Sequence, residues 1–473
     1  MSLTGYTIEH QRDYNPRSPY YNTTRISKWY NIEDCNPYTG LYYSYIDGTE
    51  KYIDYNYSYL ESRVNNVSNA LIVIDYSETI LSVSYYAFGN CTNLTRVRLP
   101  AATYIDRSAF TNCRKLTSVS LPKVEYISDY AFESCYRLTS IELPAISYVD
   151  SALFAFYSNF IYIGLPNASH IGGGVFRGCV ALTSVSLPKA EYISDNVFSD
   201  CSALTSVSLP VASYIGSSAF YSCSALTSVS LPVVEYIGRS AFTRCSALTS
   251  INLPKATFID SGAFVSCYHL TSVSLPVASY IGSSAFLNCT ALTSINLPEA
   301  THIGEGAFVS CSALTSVSLP KVSYIGRYTF SYCTALTSVS LPVAEYISVS
   351  VFTRCTALTS VNLPKASYIG LYAFAFCYHL TSVSLPKASY IDGSAFTFCS
   401  ALTSINLPEA THIDEGAFAY CSALTSVSLP KVSYIGRYTF SYCTALTSVY
   451  VASKYLNSFI ESFPSMSSIF IGI

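Results

Sequence analysis

A repeat solenoid, built of stacked coils with a parallel β-sheet along one face, is the fold class this sequence predicts, and three observations predict it. Aligned on cysteine, residues 70–452 read as units of twenty-two, approximately L-T-S-V-S-L-P-x-A-x-Y-I-G-x-x-A-F-x-x-C-x-A. Seventeen phenylalanines, Phe88 to Phe440, stand three residues before the cysteine slot without an exception. The stretch SALTSVSLPKVSYIGRYTFSYC occupies 312–333 and returns unchanged at 422–443. Self-similarity at a fixed period of this length marks a stacked-repeat architecture. Wholesale copying of units is tolerated only where each touches its neighbours and little else. About seventeen coils are expected, and strands about 4.8 Å apart would make a rod on the order of 80 Å long.

Within one unit, Leu94, Val97, Leu99, Ala102, Ile105, Ala109, Phe110 and Cys113 occupy slots that stay apolar almost everywhere. The L-x-x-V-x-L part alternates as a half-buried strand does. Pro100 follows it and ends pairing, because proline lacks the N–H a ladder needs. Gly326, Gly370 and Gly436 follow the isoleucine slot, where a sharp backbone bend is expected. Eight apolar side chains cannot bury one another within twenty-two residues. Stacking solves this by giving each an identical neighbour above and below, at roughly 1.5–3 kcal/mol per buried large side chain.

The array needs caps, since open strand edges invite aggregation. Residues 453–473 predict one. Tyr455, Leu456, Phe459, Ile460 and Phe463 are at helical spacing, Ser453 is a candidate N-cap, Pro464 closes the helix, and SSIFIGI reads as a final strand. At the other end ALIVIDYSETILSVSYYAFGNC reads as a degenerate first coil that keeps Phe88 and Cys91. Residues 1–69 do not repeat and carry thirteen tyrosines and the one tryptophan, Trp29. Alternation such as YIDYNYSYL favours strands there. This segment is either a cap on the first coil or an attachment module for a larger assembly.

Composition excludes several classes of function. The formal charge is −3, charged residues are 12% of the chain, and no concentrated basic face exists for nucleic acid. Mean hydropathy is +0.32, yet no apolar run reaches the roughly 18–20 residues of a membrane span, so membrane insertion is not expected. The stretch MSLTGYTIEHQRDYNPRSPYYNTT has neither a charged leader with an apolar core nor a small-residue cleavage site, so no secretory signal is expected. Sixteen of the seventeen cysteines fall in the ladder slot, missing it only at Tyr157. A free thiol packs as a small hydrophobe, and side chains projecting in parallel from adjacent coils have poor disulfide geometry. Buried thiols are the plain reading; regulated or metal-binding thiols are the alternative. His302 and His412, like His269 and His379, are copies 110 residues apart, on the order of 25 Å along the rod and too distant to share a metal. No phosphate loop, zinc spacing or nucleophile elbow is present. No enzymatic activity, cofactor or metal is expected.

The pattern I-G-x-x-A-F-x-x-C-x-x-L-x-x-V-x-L-P resembles the BspA-like leucine-rich repeats of bacterial surface antigens, over residues 70–452. The resemblance implies a right-handed leucine-rich-repeat solenoid and a role in adhesion or host interaction. The slot that in many leucine-rich repeats holds an asparagine ladder is filled here by Ala102, Ala190, Val322 and their equivalents. Family members generally carry an export signal. Without one here, the expected setting is a cell surface reached by a non-classical route, a phage virion, or the cytoplasm.

The residues singled out for binding precede the isoleucine slot: Tyr104, Tyr126, Tyr148, Tyr192, Tyr214, Tyr236, Tyr280, Tyr324, Tyr346, Tyr368, Tyr390 and Tyr434, with His170, Phe258, His302 and His412 in the same slot. The family resemblance puts a small polar residue there, which implies an outward side chain. An aromatic stripe at about 5 Å intervals would suit sugar faces or an extended chain, because rings offer rigid area at low entropy cost. The competing reading is a self-stacking structural ladder. The sites after I-G and after A-F vary most, as in Arg327–Tyr328, Glu305–Gly306, Thr243–Arg244 and Ala375–Phe376. Together these features predict a recognition rod for a cell-surface glycan or protein; a purely structural spacer or particle-decorating rod is the alternative.

Overall fold

The computed structural model describes residues 7–8, 27–28, 41–45, 50–53, 59–60, 70–75, 80–149, 153–462 and 464–473, those before 72 by backbone alone. Two compact units divide the chain, Met1–Ala212 and Ser213–Ile473.

In the Ser213–Ile473 unit every coil carries two short strands. Ser272–Ser274 and Tyr280–Ile281 are those of one coil. Each pairs in parallel with its equivalents twenty-two residues away: Ser272 faces Ser250 and Ser294, and Tyr280 faces Phe258 and His302. A third seam of amide bonds joins coils at the phenylalanine, where Phe264 N–H donates to Ala285 C=O at 2.7 Å and Phe286 N–H to Ala307 C=O at 2.8 Å. Three seams around one coil hold its backbone polar groups and leave its apolar side chains in the middle.

That interior is the predicted one. Leu270, Val273, Leu275, Ala278, Ile281, Ala285, Phe286 and Cys289 are all buried. The phenylalanines form a column with centroids 5.2–5.3 Å apart from Phe242 to Phe330 and nearly parallel planes. Such pairs contribute about 0.5–1.5 kcal/mol beyond area burial. The cysteines form a second column, whose thiols donate to the carbonyl of the phenylalanine twenty-five residues earlier, as from Cys289 to Phe264 and from Cys311 to Phe286 at 3.1 Å. On the other side of the coil, threonine hydroxyls donate to threonine carbonyls one coil back, as from Thr315 to Thr293 at 3.1 Å. Thiols and hydroxyls thus tie successive coils by side chain in a chain that has no asparagine ladder.

At Gly326, Gly370 and Gly436 the chain leaves its strand and enters a turn, as expected, but a left-handed backbone is not what requires glycine there. None of the three has positive φ. Glycine is needed there for close approach: a Cβ on Gly326 would sit 2.5 Å from the Glu305 nitrogen, and one on Gly436 2.5 Å from that of Glu415. The left-handed positions lie elsewhere, two residues before and two after each phenylalanine. Ser284 and Asn288 flank Phe286 with φ of 55° and 61°. Tyr328 and Tyr332 flank Phe330 with φ of 59° and 62°.

The Met1–Ala212 unit repeats this plan. Arg96–Arg98 pairs with Ser118–Ser120, and Tyr104–Ile105 with Tyr126–Ile127. The coil that misses the cysteine places Tyr157 against Phe154 and Phe160, with ring centroids 6.2 and 5.5 Å away. Strand pairing then resumes, Tyr162 facing Ser140 and Ser184. Ala70–Asp75 joins the sheet beside Arg96–Arg98, and its other edge is covered by the antiparallel strand Leu41–Tyr45, itself paired with Glu50–Ile53. The strands expected in the tyrosine-rich segment are present at these positions; Trp29 and most of its tyrosines lie outside the described residues.

At the carboxyl end a 3-10 turn, Ser453–Tyr455, leads into helix α1, Leu456–Ser462. Phe459 is buried against Phe470 with centroids 6.0 Å apart, and Phe470–Gly472 pairs in parallel with Ser448–Val451. Ser453 is not the N-cap of α1: it opens the 3-10 turn and its hydroxyl donates to the Ile473 carbonyl at 3.2 Å. Pro464 opens a further 3-10 segment, Pro464–Ile469. The side chain of Phe463 lies outside the described residues. Among the described residues no helix is long and apolar enough to cross a membrane.

Candidate recognition surfaces

The two-residue strands place the tyrosine slot at the surface, one residue before a fully buried isoleucine. Tyr126, Tyr148, Tyr192, Tyr324, Tyr346 and Tyr434 are exposed, and Tyr214, Tyr236, Tyr280, Tyr368 and Tyr390 are half-buried. Tyr104 departs from this: it is buried, its hydroxyl within 3.4 Å of Asp106 and Ser128. It offers no surface to a ligand.

The rings stack on one another. In the Ser213–Ile473 unit one run passes from Tyr214 through Phe258 to Tyr324, with centroids 4.3–5.3 Å apart. A second passes from Tyr346 to Tyr434, at 4.3–5.2 Å. Interplanar angles are 15° or less. The stripe is therefore both exposed and self-stacked, and the exposure belongs to ring edges and hydroxyls. A sugar that stacks on an aromatic residue needs a face, and inside these runs the faces are taken.

Several hydroxyls are also held. Tyr236 donates to Oδ2 of Asp260 at 2.8 Å, Tyr368 to that of Asp392 at 2.6 Å and Tyr390 to that of Asp414 at 3.3 Å, each one coil further on. Burial, with the Asp392 bond second, raises the Tyr368 hydroxyl well above the ordinary tyrosine range. Desolvation lowers the pKa of His302, which favours its neutral ring between Tyr280 and Tyr324.

The three-residue strands give a second outward surface. Ser316, Ser318, Ser338, Ser340, Ser360, Asn362, Ser382 and Ser384 line a shallow trough whose floor is Val317, Val339, Val361 and Val383. It carries hydroxyls and one amide, and no charge. Its lining contains no histidine, carboxylate or lysine. The thiols are buried, and burial pushes Cys179 and Cys267 up to about 12. The histidines His269 and His379 each place Nδ1 against a backbone carbonyl of the preceding coil, Ser246 and Thr356, at 2.7 and 2.6 Å. They serve coil stacking.

A third surface lies at the variable sites after A-F, where the sequence marked variation but not an aromatic row. The left-handed site two residues after the phenylalanine carries Tyr332, Arg354, Phe376, Phe398, Tyr420 and Tyr442 in six successive coils. Phe376, Phe398, Tyr420 and Tyr442 stack at 4.3–4.9 Å. The guanidinium of Arg354 lies 5.5 Å from the Tyr332 ring and 4.9 Å from that of Phe376. Of the variable pairs noted above, Thr243 and Ala375 are buried, so outward variation there rests on Arg244 and Phe376. A comparison of the two copied blocks at this slot is the signal that would have found it.

Parallel coils of twenty-two residues, with phenylalanine and cysteine columns inside, define the chain as a leucine-rich-repeat solenoid. Family models of the BspA type leucine rich repeat region match residues 61–179, 169–279, 257–370 and 345–469, and the chain belongs to that family. The crystal structure of a leucine-rich repeat protein from Bacteroides ovatus is similar, at 24% identity and a TM-score of 0.53, covering 93% of this chain and all of that one. A leucine rich cell surface protein from Faecalibacterium prausnitzii is 26% identical, with a TM-score of 0.38, covering 67% of this chain and 89% of that one. Among curated protein sequences none matches the chain.

Proposed function

We propose that the protein is a non-catalytic recognition module that docks a protein at a cell surface through its repeated outer edge. The observation that carries this reading is the tyrosine column: a row of exposed ring edges and hydroxyls held by a stack that leaves little rotational freedom. Pre-ordered aromatic side chains lose little entropy on binding. Membership of a family with cell-surface relatives is consistent with the setting. A protein suits the column better than a glycan, because ring faces inside the stack are covered and edges remain. The self-stacked rings also fit a purely structural spacer, which predicts no binding to cells; no observation favours the phage setting.

The experiment is binding of the fluorescently labelled full chain to intact bacterial and epithelial cells, with Tyr324→Ser, Tyr346→Ser and Tyr434→Ser combined. Loss of about tenfold in affinity is expected. Undiminished binding by the triple variant removes the column from the site. Protease treatment of the cells should abolish binding, and glycosidase treatment should leave it.

A further inference from the structure

We propose that the row Tyr332, Arg354, Phe376, Phe398, Tyr420 and Tyr442 is a docking site for an acidic segment of a protein partner, separate from the tyrosine column. The first ground is conformational. All six residues have φ between 59° and 63°, where a bulky side chain costs about 1 kcal/mol or more. Earlier coils of the same unit mostly meet the requirement with small or polar residues, Ser222, Ser266, Asn288 and Ser310. From Tyr332 onward large aromatic side chains dominate the slot, and Tyr332, Tyr420 and Tyr442 are exposed there.

The second ground is internal to the chain. Residues 267–339 and 377–449 are copies that differ at nine positions. Four of the nine lie at the two sites after the phenylalanine. Asn288 corresponds to Phe398 and Ser310 to Tyr420, while the preceding Leu287 and Val309 correspond to Thr397 and Ala419. In the later block the outer side chain is bulkier and the one beside it smaller, twice, while the apolar slots of strand and core are the same. Drift at exposed loops does not require that pairing.

The third ground is charge. Stacking hides the ring faces and turns out the edges, which carry the positive end of the aromatic quadrupole. Tyrosine hydroxyls and the Arg354 guanidinium add donors. Exposed Arg327 and Arg437 flank exposed Tyr328 and Tyr438 in the neighbouring row, which also carries the exposed carboxylates Glu305 and Glu415. Positive edges, donors and three arginines on a chain of net charge −3 are complementary to carboxylates presented along a polypeptide.

The test is fluorescence anisotropy of the full chain against a labelled glutamate–tyrosine random copolymer at low ionic strength, with poly-L-lysine and the acidic polysaccharide hyaluronan as comparators. The reverting variant Phe398→Asn with Tyr420→Ser, and separately Arg354→Ser, should each weaken copolymer binding at least about tenfold. The reverting residues already stand in the sister coils, so the fold tolerates them, and Arg354→Ser gives an independent reading. Tyr324→Ser with Tyr346→Ser should leave copolymer affinity unchanged, which separates this site from the tyrosine column. Absence of binding by the wild-type chain, undiminished binding in both row variants, or tighter binding to hyaluronan than to the copolymer would each overturn the proposal.

Discussion

The phenol of Tyr368 donates to Oδ2 of Asp392 one coil further on, at 2.6 Å, while Oδ1 of the same carboxylate accepts the Gly393 amide at 2.7 Å. One aspartate thus fixes a surface ring and a turn at once. Its counterpart in the other copied block is Gly282. A double-mutant cycle on Tyr368→Phe and Asp392→Asn should give a coupling of about 1 kcal/mol, because a charge-assisted bond at a half-exposed site is partly screened. Urea denaturation measures it; additivity of the two changes would show the bond contributes nothing.

The thiol column predicts chemical silence. Sixteen cysteines are buried and free, so they should react with a thiol reagent only after unfolding, while Cys35 lies outside the described residues. Cys311→Ala removes the donor to Phe286 and leaves a small void, and should cost about 1–2 kcal/mol. Denaturant melts of that variant give the figure, and rapid labelling of the native chain at several sites would contradict the burial.

Stability should fall at high pH. The Cys179 and Cys267 thiols have an ordinary value of 9.0 and are raised to about 12 in the fold, burial being the main cause. Below pH 9 both folded and unfolded chains keep the protons, so the stabilisation is complete. Between pH 9 and 12 the unfolded chain releases them first, and each thiol removes about 1.4 kcal/mol per pH unit. Thermal melts from pH 7 to 11 should show a steep decline above 9; a flat profile would be inconsistent with the buried column.

Coil register predicts two contrasting deletions. Removing 224–245, one full period, should leave a folded and cooperative chain. Removing 224–234 should abolish cooperative melting, because half a period turns core residues outward. Phe286→Ala should cost about 3–5 kcal/mol through a cavity in the stacked column. Circular dichroism and calorimetry distinguish these outcomes, and equal stability of the two deletions would refute the register.

Much of this architecture was legible in the residues. Phe286, Cys289 and Ile281 recur at a fixed period, and period alone places them inside. The tyrosine slot was legible as a column, yet spacing does not say whether rings turn faces or edges to water, and Tyr104 is buried beside Asp106. Gly326 was legible as the point where the strand ends, but the letter does not say whether glycine serves a left-handed backbone or a close approach. Tyr332 and Phe376 hid a left-handed backbone that their residue types disfavour, so no propensity pointed to it. Of the alternating stretch YIDYNYSYL, the described residues lie in the strands Glu50–Ile53 and Tyr59–Leu60, while Leu41–Tyr45 was not read from it.

The serine-lined trough has one further consequence. From Ser316 to Ser384 it offers a visitor nearly the same contacts again after each step of one coil. A ligand resting there has several equivalent berths and no reason to prefer one, which favours lateral sliding over fixed placement. Position along such a track has to be set by something that occurs once. The run of rings that begins at Tyr332 is such a landmark, and it would give a partner an address on an otherwise uniform scale.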